Sequence, residues 1–180
     1  MIIGICVLVV IIVLIIIGYN ELVKLRNMVK DQWSQIDVLL KRRYDLIPNL
    51  VETVKGYAAH EKETLEAVIN ARNKATTTSS VEDSSIANNE LTGALNKLFA
   101  LTEAYPDLKA NTNFLDLQAN LKETEDKISY ARQFYNDSVL KYNNKVEMIP
   151  TNIVAMLFGF EKYDFFEISD EERQVTKIKF

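Results

Sequence analysis

The sequence predicts an all-α protein, an N-terminal transmembrane helix followed by an antiparallel up-and-down four-helix bundle. Three observations predict it. The first 20 residues contain no Asp, Glu, Lys or Arg, so all 21 basic and all 25 acidic residues lie in the other 160. From Glu21 onward apolar residues recur every three or four positions, the spacing of one buried helical face. With 5 Gly, 3 Pro and 1 Cys, the chain nearly lacks the residues on which collagenous, Pro-rich and disulfide-stapled proteins depend. A length of 180 residues suits one domain, and a net charge of −4 argues against nucleic acid as a partner. The implied organisation is an anchor over 1–19, a helical domain over 20–160 and a C-terminal tail over 161–180.

Ile2 to Ile17 is apolar throughout apart from Gly4. A helix from Met1 to Tyr19 is roughly 28 Å long, close to the hydrocarbon thickness of a bilayer. The Ile/Val richness also suits a strand, but so long an unbroken run would expose an aggregating edge, whereas a helix satisfies its own backbone in lipid. A cleaved signal peptide is the rival. It needs a basic n-region and a small-residue cleavage site, and Gly18-Tyr19-Asn20-Glu21 is a poor one. Lys24, Arg26 and Lys30 follow the span while nothing basic but the terminal amine precedes it, so the bulk of the chain is expected in the cytoplasm. Cys6, inside the span, is expected to pack as a small side chain.

Leu22, Leu25, Val29, Trp33, Ile36 and Leu40 form the first amphipathic stripe. Arg42 to Pro48 interrupts it, because Pro48 lacks an N–H and restricts Ile47, while Asp45 can accept from the amides of a new helix. The expectation is a hairpin, with a kinked continuous helix as the alternative. A second stripe runs Ile47, Leu50, Val51, Val54, Tyr57, Ala58, Leu65, Val68 and Ile69, and ends in a Thr/Ser loop at 76–80. Ser80 with Asp83 caps a third helix bearing Leu91, Leu95, Leu98 and Leu101, closed by Pro106-Asp107. The fourth carries Phe114, Leu117, Leu121, Ile128, Ala131, Tyr135, Val139, Tyr142 and Val146, and Pro150 ends it. Short connections make an up-and-down bundle the simplest packing. Gly56 and Gly93 are read as points of close helix approach.

The stretch 152–160 is apolar but too short to span. Its simplest role is a helix closing the bundle end; a segment touching lipid or a partner is the alternative. Val175 to Phe180 alternates weakly, as a fraying terminus or a strand added to a partner's sheet.

Catalytic chemistry is thin. His60 is the single histidine, so one chain cannot build a two-histidine metal site or a paired Glu-x-x-His di-iron centre. Glycines at 4, 18, 56, 93 and 159 cannot form a phosphate-cradling loop. No cofactor is expected. The basic cluster Lys41-Arg42-Arg43 lies roughly 35 Å beyond Tyr19 along a straight helix, too far to touch headgroups, and is expected to pair with Asp45 or Glu52. Two polar, aromatic-studded stretches, 41–57 and 126–144, exceed what solubility needs. Their candidate residues are Arg42, Arg43, Asp45, Asn49, Glu52, Tyr57, Arg132, Tyr135, Asn136, Tyr142 and Asn143. Several fall on or beside an apolar stripe, where they must find partners or cost stability. They form either an interhelical polar network or an interaction groove.

The same stretches carry a resemblance. Arg42-Arg43-Tyr44-Asp45-Leu46-Ile47-Pro48-Asn49-Leu50-Val51-Glu52-Thr53-Val54-Lys55-Gly56-Tyr57, then Ala104-Tyr105-Pro106-Asp107-Leu108-Lys109-Ala110-Asn111 with Asn113-Phe114, then Ala131-Arg132, Tyr135-Asn136-Asp137 and Tyr142-Asn143, resemble the bacterial LemA family. Pro150 with Asn152, and Gly159-Phe160, extend the resemblance over nearly the whole chain. Leu39 and the Ser/Thr-rich loop depart from the commoner family pattern. The resemblance implies an antiparallel helical bundle held by one N-terminal membrane helix, and it brings no enzymatic activity, cofactor or catalytic residue. It also implies a setting among membrane proteins, since members are often encoded near them and one branch helps shape organelle membranes.

The expected function is therefore a non-enzymatic, membrane-tethered interaction or scaffold protein at the bacterial cell membrane. Its partners are the lipid bilayer, through residues 1–19, and a membrane protein. The alternative is an extracytoplasmic sensory or ligand-binding bundle working with a membrane partner. A hydrolase using Glu52, Asp45 and His60 has the weakest motivation.

Overall fold

The computed structural model describes residues 2–78 and 80–166, and all regular structure among them is helical. The elements are α1 (Ile2–Lys55), α2 (Lys62–Thr76), α3 (Val81–Thr102), α4 (Pro106–Lys109), α5 (Thr112–Glu147) and α6 (Thr151–Phe158). The alternating segment Val175–Phe180 lies outside the described residues.

The apolar start of α1 is long and hydrophobic enough to cross a membrane, with an 18-residue mean hydropathy of 3.4. Its side chains from Ile2 to Leu14 stand exposed, as lipid-facing residues do. The expected hairpin at 42–48 does not form. α1 runs through Pro48 to Lys55, so the kinked-helix alternative is the nearer reading, and Asp45 is an exposed mid-helix residue rather than a cap. A proline inside a helix orphans the carbonyl four residues back, here that of Tyr44, and Arg72 Nε donates to that oxygen at 2.9 Å.

The second stripe is likewise split. Gly56, a poor helix former, follows the last residue of α1, and the Ala58 N–H closes the final turn on the Val54 carbonyl at 2.8 Å. α2 then starts at Lys62. Neither Gly56 nor Gly93 marks a close approach: a Cβ at Gly93 would meet nothing within 4 Å, and one at Gly56 only carbonyls of its own last turn. The Ser80 cap forms as expected, with Ser80 Oγ accepting from the Asp83 amide at 3.0 Å and donating to the Asp83 carboxylate at 2.7 Å. Pro106 opens the single-turn α4 at a position where its missing N–H costs nothing.

The chain divides into two compact units. One comprises Met1–Ile36 and Ala131–Phe165, and the other Asp37–Tyr130 with the segment from Phe166. The first unit buries Leu22, Val29 and Ile36 of α1, spaced seven apart, with Tyr135, Val139 and Tyr142 of α5, Val154 and Ala155 of α6, and Phe160. The second buries Leu40, Ile47, Leu50 and Val54 of α1 with Leu65 and Val68 of α2, Leu91, Leu95 and Leu98 of α3, and Phe114, Leu121 and Ile128 of α5. Each such aliphatic side chain contributes about 1.5–3 kcal/mol when fully buried, so these stripes hold each unit together.

Candidate interaction sites

The sequence-predicted polar residues fall into two separate groups, one in each unit. In the second unit Arg43 lies on the apolar face of α1 between Leu40 and Ile47, and only 1% of it is exposed. A guanidinium there must be paired. Its Nη2 donates to Thr92 Oγ1 at 2.7 Å and its Nη1 lies 3.1 Å from the Glu125 carboxylate. Thr92 Oγ1 in turn donates to the Asn88 carbonyl at 3.0 Å. One turn away, the Tyr44 hydroxyl donates to Asn88 Oδ1 at 3.0 Å, and Asn88 Nδ2 donates to the Ser84 carbonyl at 2.8 Å. Arg43 also forms the floor of an open cleft of about 260 Å³ whose walls include Thr92, Phe99, Leu121, Lys122 and Glu125. The cleft thus combines a buried cation and a surface lysine with the carboxylates of Glu125 and Asp126.

The expected pairing of the basic cluster with Asp45 or Glu52 is replaced by pairing with α5. Arg42 lies 3.9 Å from Glu123, and Glu52 instead sits 3.6 Å from Lys55. The Lys127 ammonium, bonded to Glu123 at 2.6 Å, holds that carboxyl below the usual range, with Arg42 adding a smaller pull. Asp45, Asn49 and Glu52 are exposed and line no cleft with Arg43. Tyr57, 44% exposed, accepts a hydrogen bond from Asn111 Nδ2 at 2.9 Å.

In the first unit Tyr135, Tyr142 and Asn143 bind the chain's own backbone. After α6, residues 161–164 run back along α5 as an extended strap. Tyr142 donates to the Glu161 carbonyl at 2.9 Å, and Tyr135 to the Asp164 carbonyl at 3.0 Å. Asn143 holds Tyr163 twice, donating to its carbonyl at 2.8 Å and accepting from its amide at 3.0 Å, the pairing that a neighbouring strand would offer. Burial pushes the Tyr135 phenol up to about 12, with the Asp164 and Tyr163 charges adding to the shift. Burial also raises Tyr142, again with help from Tyr163. Arg132 is buried and Asn136 half-buried on the same helix. Tyr135, Tyr142 and Asn143 thus bond to the backbone of residues 161–164 rather than to a second helix.

Sequence reasoning missed Thr92, Glu125, Asn88 and Arg72. A cation on an apolar stripe announces that a partner exists, but α3 and α5 carry many equivalent polar residues and nothing local picks out these. Gly18 was also missed as a packing residue: a Cβ there would meet Val154 Cγ2 at 3.3 Å and Thr151 Cγ2 at 3.5 Å. Among the described residues no three His, Cys, Asp or Glu side chains converge as a metal site.

The model of the LemA family matches residues 32–180. The chain is 31% identical over 159 residues to Protein LemA of Metamycoplasma hominis, covering 86% of this chain and 71% of that protein. It is 26% identical over 174 residues to the magnetosome protein MamQ of Magnetospirillum gryphiswaldense, covering 82% of this chain and 64% of that protein. A MamQ of Paramagnetospirillum magneticum is 23% identical over 175 residues, again with 64% of its length covered. The chain therefore spans about two thirds of the length of the MamQ relatives it matches.

Proposed function

The chain belongs to the LemA family, and from that premise we propose that it is a non-enzymatic interaction or scaffold protein tethered to the bacterial cell membrane by α1, its helices forming an antiparallel bundle on the cytoplasmic side. One observation carries this reading. The exposed apolar residues of α1 continue, without a break in the helix, into Leu22, Val29 and Ile36, which are buried in the first unit. A tether that is itself a core helix confines the packed residues to the membrane surface, where the effective concentration toward other membrane proteins is high. Lys24, Arg26 and Lys30 just beyond the apolar run favour the cytoplasmic side. Similarity both to a protein named LemA and to magnetosome proteins supports a role shared by bacteria of different kinds.

The test is crosslinking in intact cells, followed by purification of the full chain in mild detergent. A defined membrane protein should co-purify, and the chain should stay with membranes through an alkaline carbonate wash. Release by that wash, or no reproducible partner, overturns the reading. A reporter fused after Phe180 decides the side, and activity only outside the cytoplasm rejects the orientation.

The cleft over Arg43 favours a second reading, a ligand-binding bundle working with a membrane partner. An anionic small molecule that protects the chain from thermal unfolding, and fails to protect Arg43→Met, would establish it in place of a purely docking role.

A further inference from the structure

The apolar stretch around α6 has two faces, and only one of them has found a partner. Thr151, Val154 and Ala155 face inward, against the flank that Gly18 leaves open. The outward face consists of Ile153, Met156, Leu157 and Phe158, and Met148 and Ile149 in the preceding turn are equally bare, with 53–82% of each exposed. From Met148 to Phe160 there is no Asp, Glu, Lys or Arg. In water such a segment is an aggregation hazard. Its place along α1 explains it.

Pro150, Ile153 and Val154 form an apolar groove of about 180 Å³ with Ile11, Leu14 and Ile15, residues well inside the charge-free run. Phe158 meets the Tyr19 ring edge-on at 4.9 Å and Phe160 meets it at 5.6 Å. The turn at Pro150 therefore lies level with Ile11–Ile15, and α6 climbs from there back to Tyr19. By helix rise that is a descent of roughly 6–12 Å below Tyr19. The charges resume beyond Tyr19, over roughly 11 Å of helix rise: Lys145 pairs with Glu21 at 2.8 Å, Lys162 pairs with Glu147, and the Arg26 guanidinium stacks 5.1 Å over the Phe160 ring. Aromatic rings with paired charges beside and beyond them, and bare aliphatic side chains below, are the profile of a membrane–water boundary.

The turn bonds much of its own backbone, which lowers the cost of bringing it to a lipid boundary. Thr151 Oγ1 donates to the Lys145 carbonyl at 2.6 Å, with the Met148 carbonyl at 2.9 Å. The Met148 amide donates to Asn144, the Asn152 amide to Met148 and the Ile153 amide to Pro150. At the far end Gly159, at φ 68°, turns the chain so that the Phe160 amide reaches the Ala155 carbonyl at 2.9 Å. Each backbone group bonded within the segment is one that lipid does not leave bare, and the open groups of the turn call for the headgroup layer.

We infer that residues 148–158, the turn after α5 together with α6, form a second membrane-embedded element, a shallow re-entrant hairpin whose outward face contacts the acyl chains and inner headgroup layer of the leaflet that α1 crosses. This rests on the membrane reading of α1. The hairpin makes the contact with lipid two-pronged, which fixes the azimuth of the packed helices about the α1 axis as well as their height.

The test reconstitutes the full chain, in a Trp33→Phe background, into phosphatidylcholine–phosphatidylglycerol vesicles carrying acyl-chain bromines at defined depth. Leu157→Trp, and independently Met156→Trp on the same face, should be quenched about twofold by bromines near the headgroups, while Leu8→Trp is quenched by deeper ones. Val38→Trp, on a solvent-exposed part of α1, should be quenched by aqueous iodide instead. Quenching of Leu8→Trp with both α6 tryptophans open to iodide overturns the hairpin and leaves the anchor standing. Tryptophans on α6 shielded from lipid and iodide alike also overturn it, since a protein then covers the face. No lipid quenching at Leu8→Trp overturns the anchor itself.

Discussion

Arg72 completes a helix to which it does not belong: its Nε donates to the Tyr44 carbonyl at 2.9 Å, the one oxygen in α1 that Pro48 cannot serve. A proline inside a helix costs about 3 kcal/mol, partly through that orphaned acceptor. By supplying the donor from α2, the chain keeps α1 continuous where local rules place a turn, and the same bond ties α2 to α1.

Removing this donor should matter only while the proline is present. Arg72→Ala is expected to destabilise the chain by about 1–3 kcal/mol, the cost of a buried acceptor left unmade. In a Pro48→Ala background, where the substituted residue supplies the missing amide, the same change should cost much less. Denaturant unfolding of the two single variants and the double variant, followed by circular dichroism, closes the cycle; equal costs in both backgrounds would refute the pairing.

The pair of Arg43 and Glu125 should respond unequally to the loss of either partner. Arg43 is buried, whereas the Glu125 side chain keeps 34% of its surface in water. Glu125→Ala withdraws the carboxylate from a buried cation and is expected to cost about 3 kcal/mol, near the range for breaking a buried pair. Arg43→Met leaves a carboxylate that water can still reach and fills most of the vacated volume, so its cost should be smaller. Thermal melts of both variants rank them.

Alkali should loosen the strap over α5. The Tyr135 phenol is raised from 10.0 to about 12, so the fold prefers its neutral form. That contribution is complete below pH 10 and is lost as pH climbs through about 12. An absorbance titration of the 8 tyrosines should show a component titrating near pH 12 that Tyr135→Phe removes. A wild-type curve unchanged by the substitution would refute the assignment.

Gly18 should tolerate one methyl and no more. Gly18→Ala places its Cβ 3.3 Å from Val154 Cγ2, a contact that a shift of a few tenths of an ångström relieves, and it gains about 0.5–1 kcal/mol of helix propensity. Gly18→Leu has no room beside α6 and should push it outward, lowering the melting temperature in detergent and speeding tryptic cleavage at Lys162. Unchanged cleavage in Gly18→Leu would show that α6 does not need the close approach.

Much of this was legible beforehand, because it depends on local chemistry. The charge-free run, the stripes at Leu22–Ile36 and Leu91–Leu98, the Ser80 cap and the stop before Pro150 all follow from residues read within a few positions of one another. What failed needed information from elsewhere in the chain. Pro48 reads as a break until Arg72, 24 residues on, is known to stand beside Tyr44. Tyr135, Tyr142 and Asn143 announce that they need partners, but the partners are backbone atoms of 161–164, which any sequence would supply. Gly56 and Gly93 show the opposite error: glycine in a helical pattern invites a packing explanation, and the close approach occurs at Gly18 instead.

The unbroken run of α1 from Ile17 to Leu22 has a mechanical consequence. Four residues of helix, 18–21, separate the last bare aliphatic side chain from the first buried one, roughly 8 Å with no pliable joint. Once Ile2–Ile17 is in lipid, the first unit is held like a post set in a floor, and it leans only as far as the anchor itself tilts. A loose glycine-serine insert after Asn20 would turn that post into a buoy.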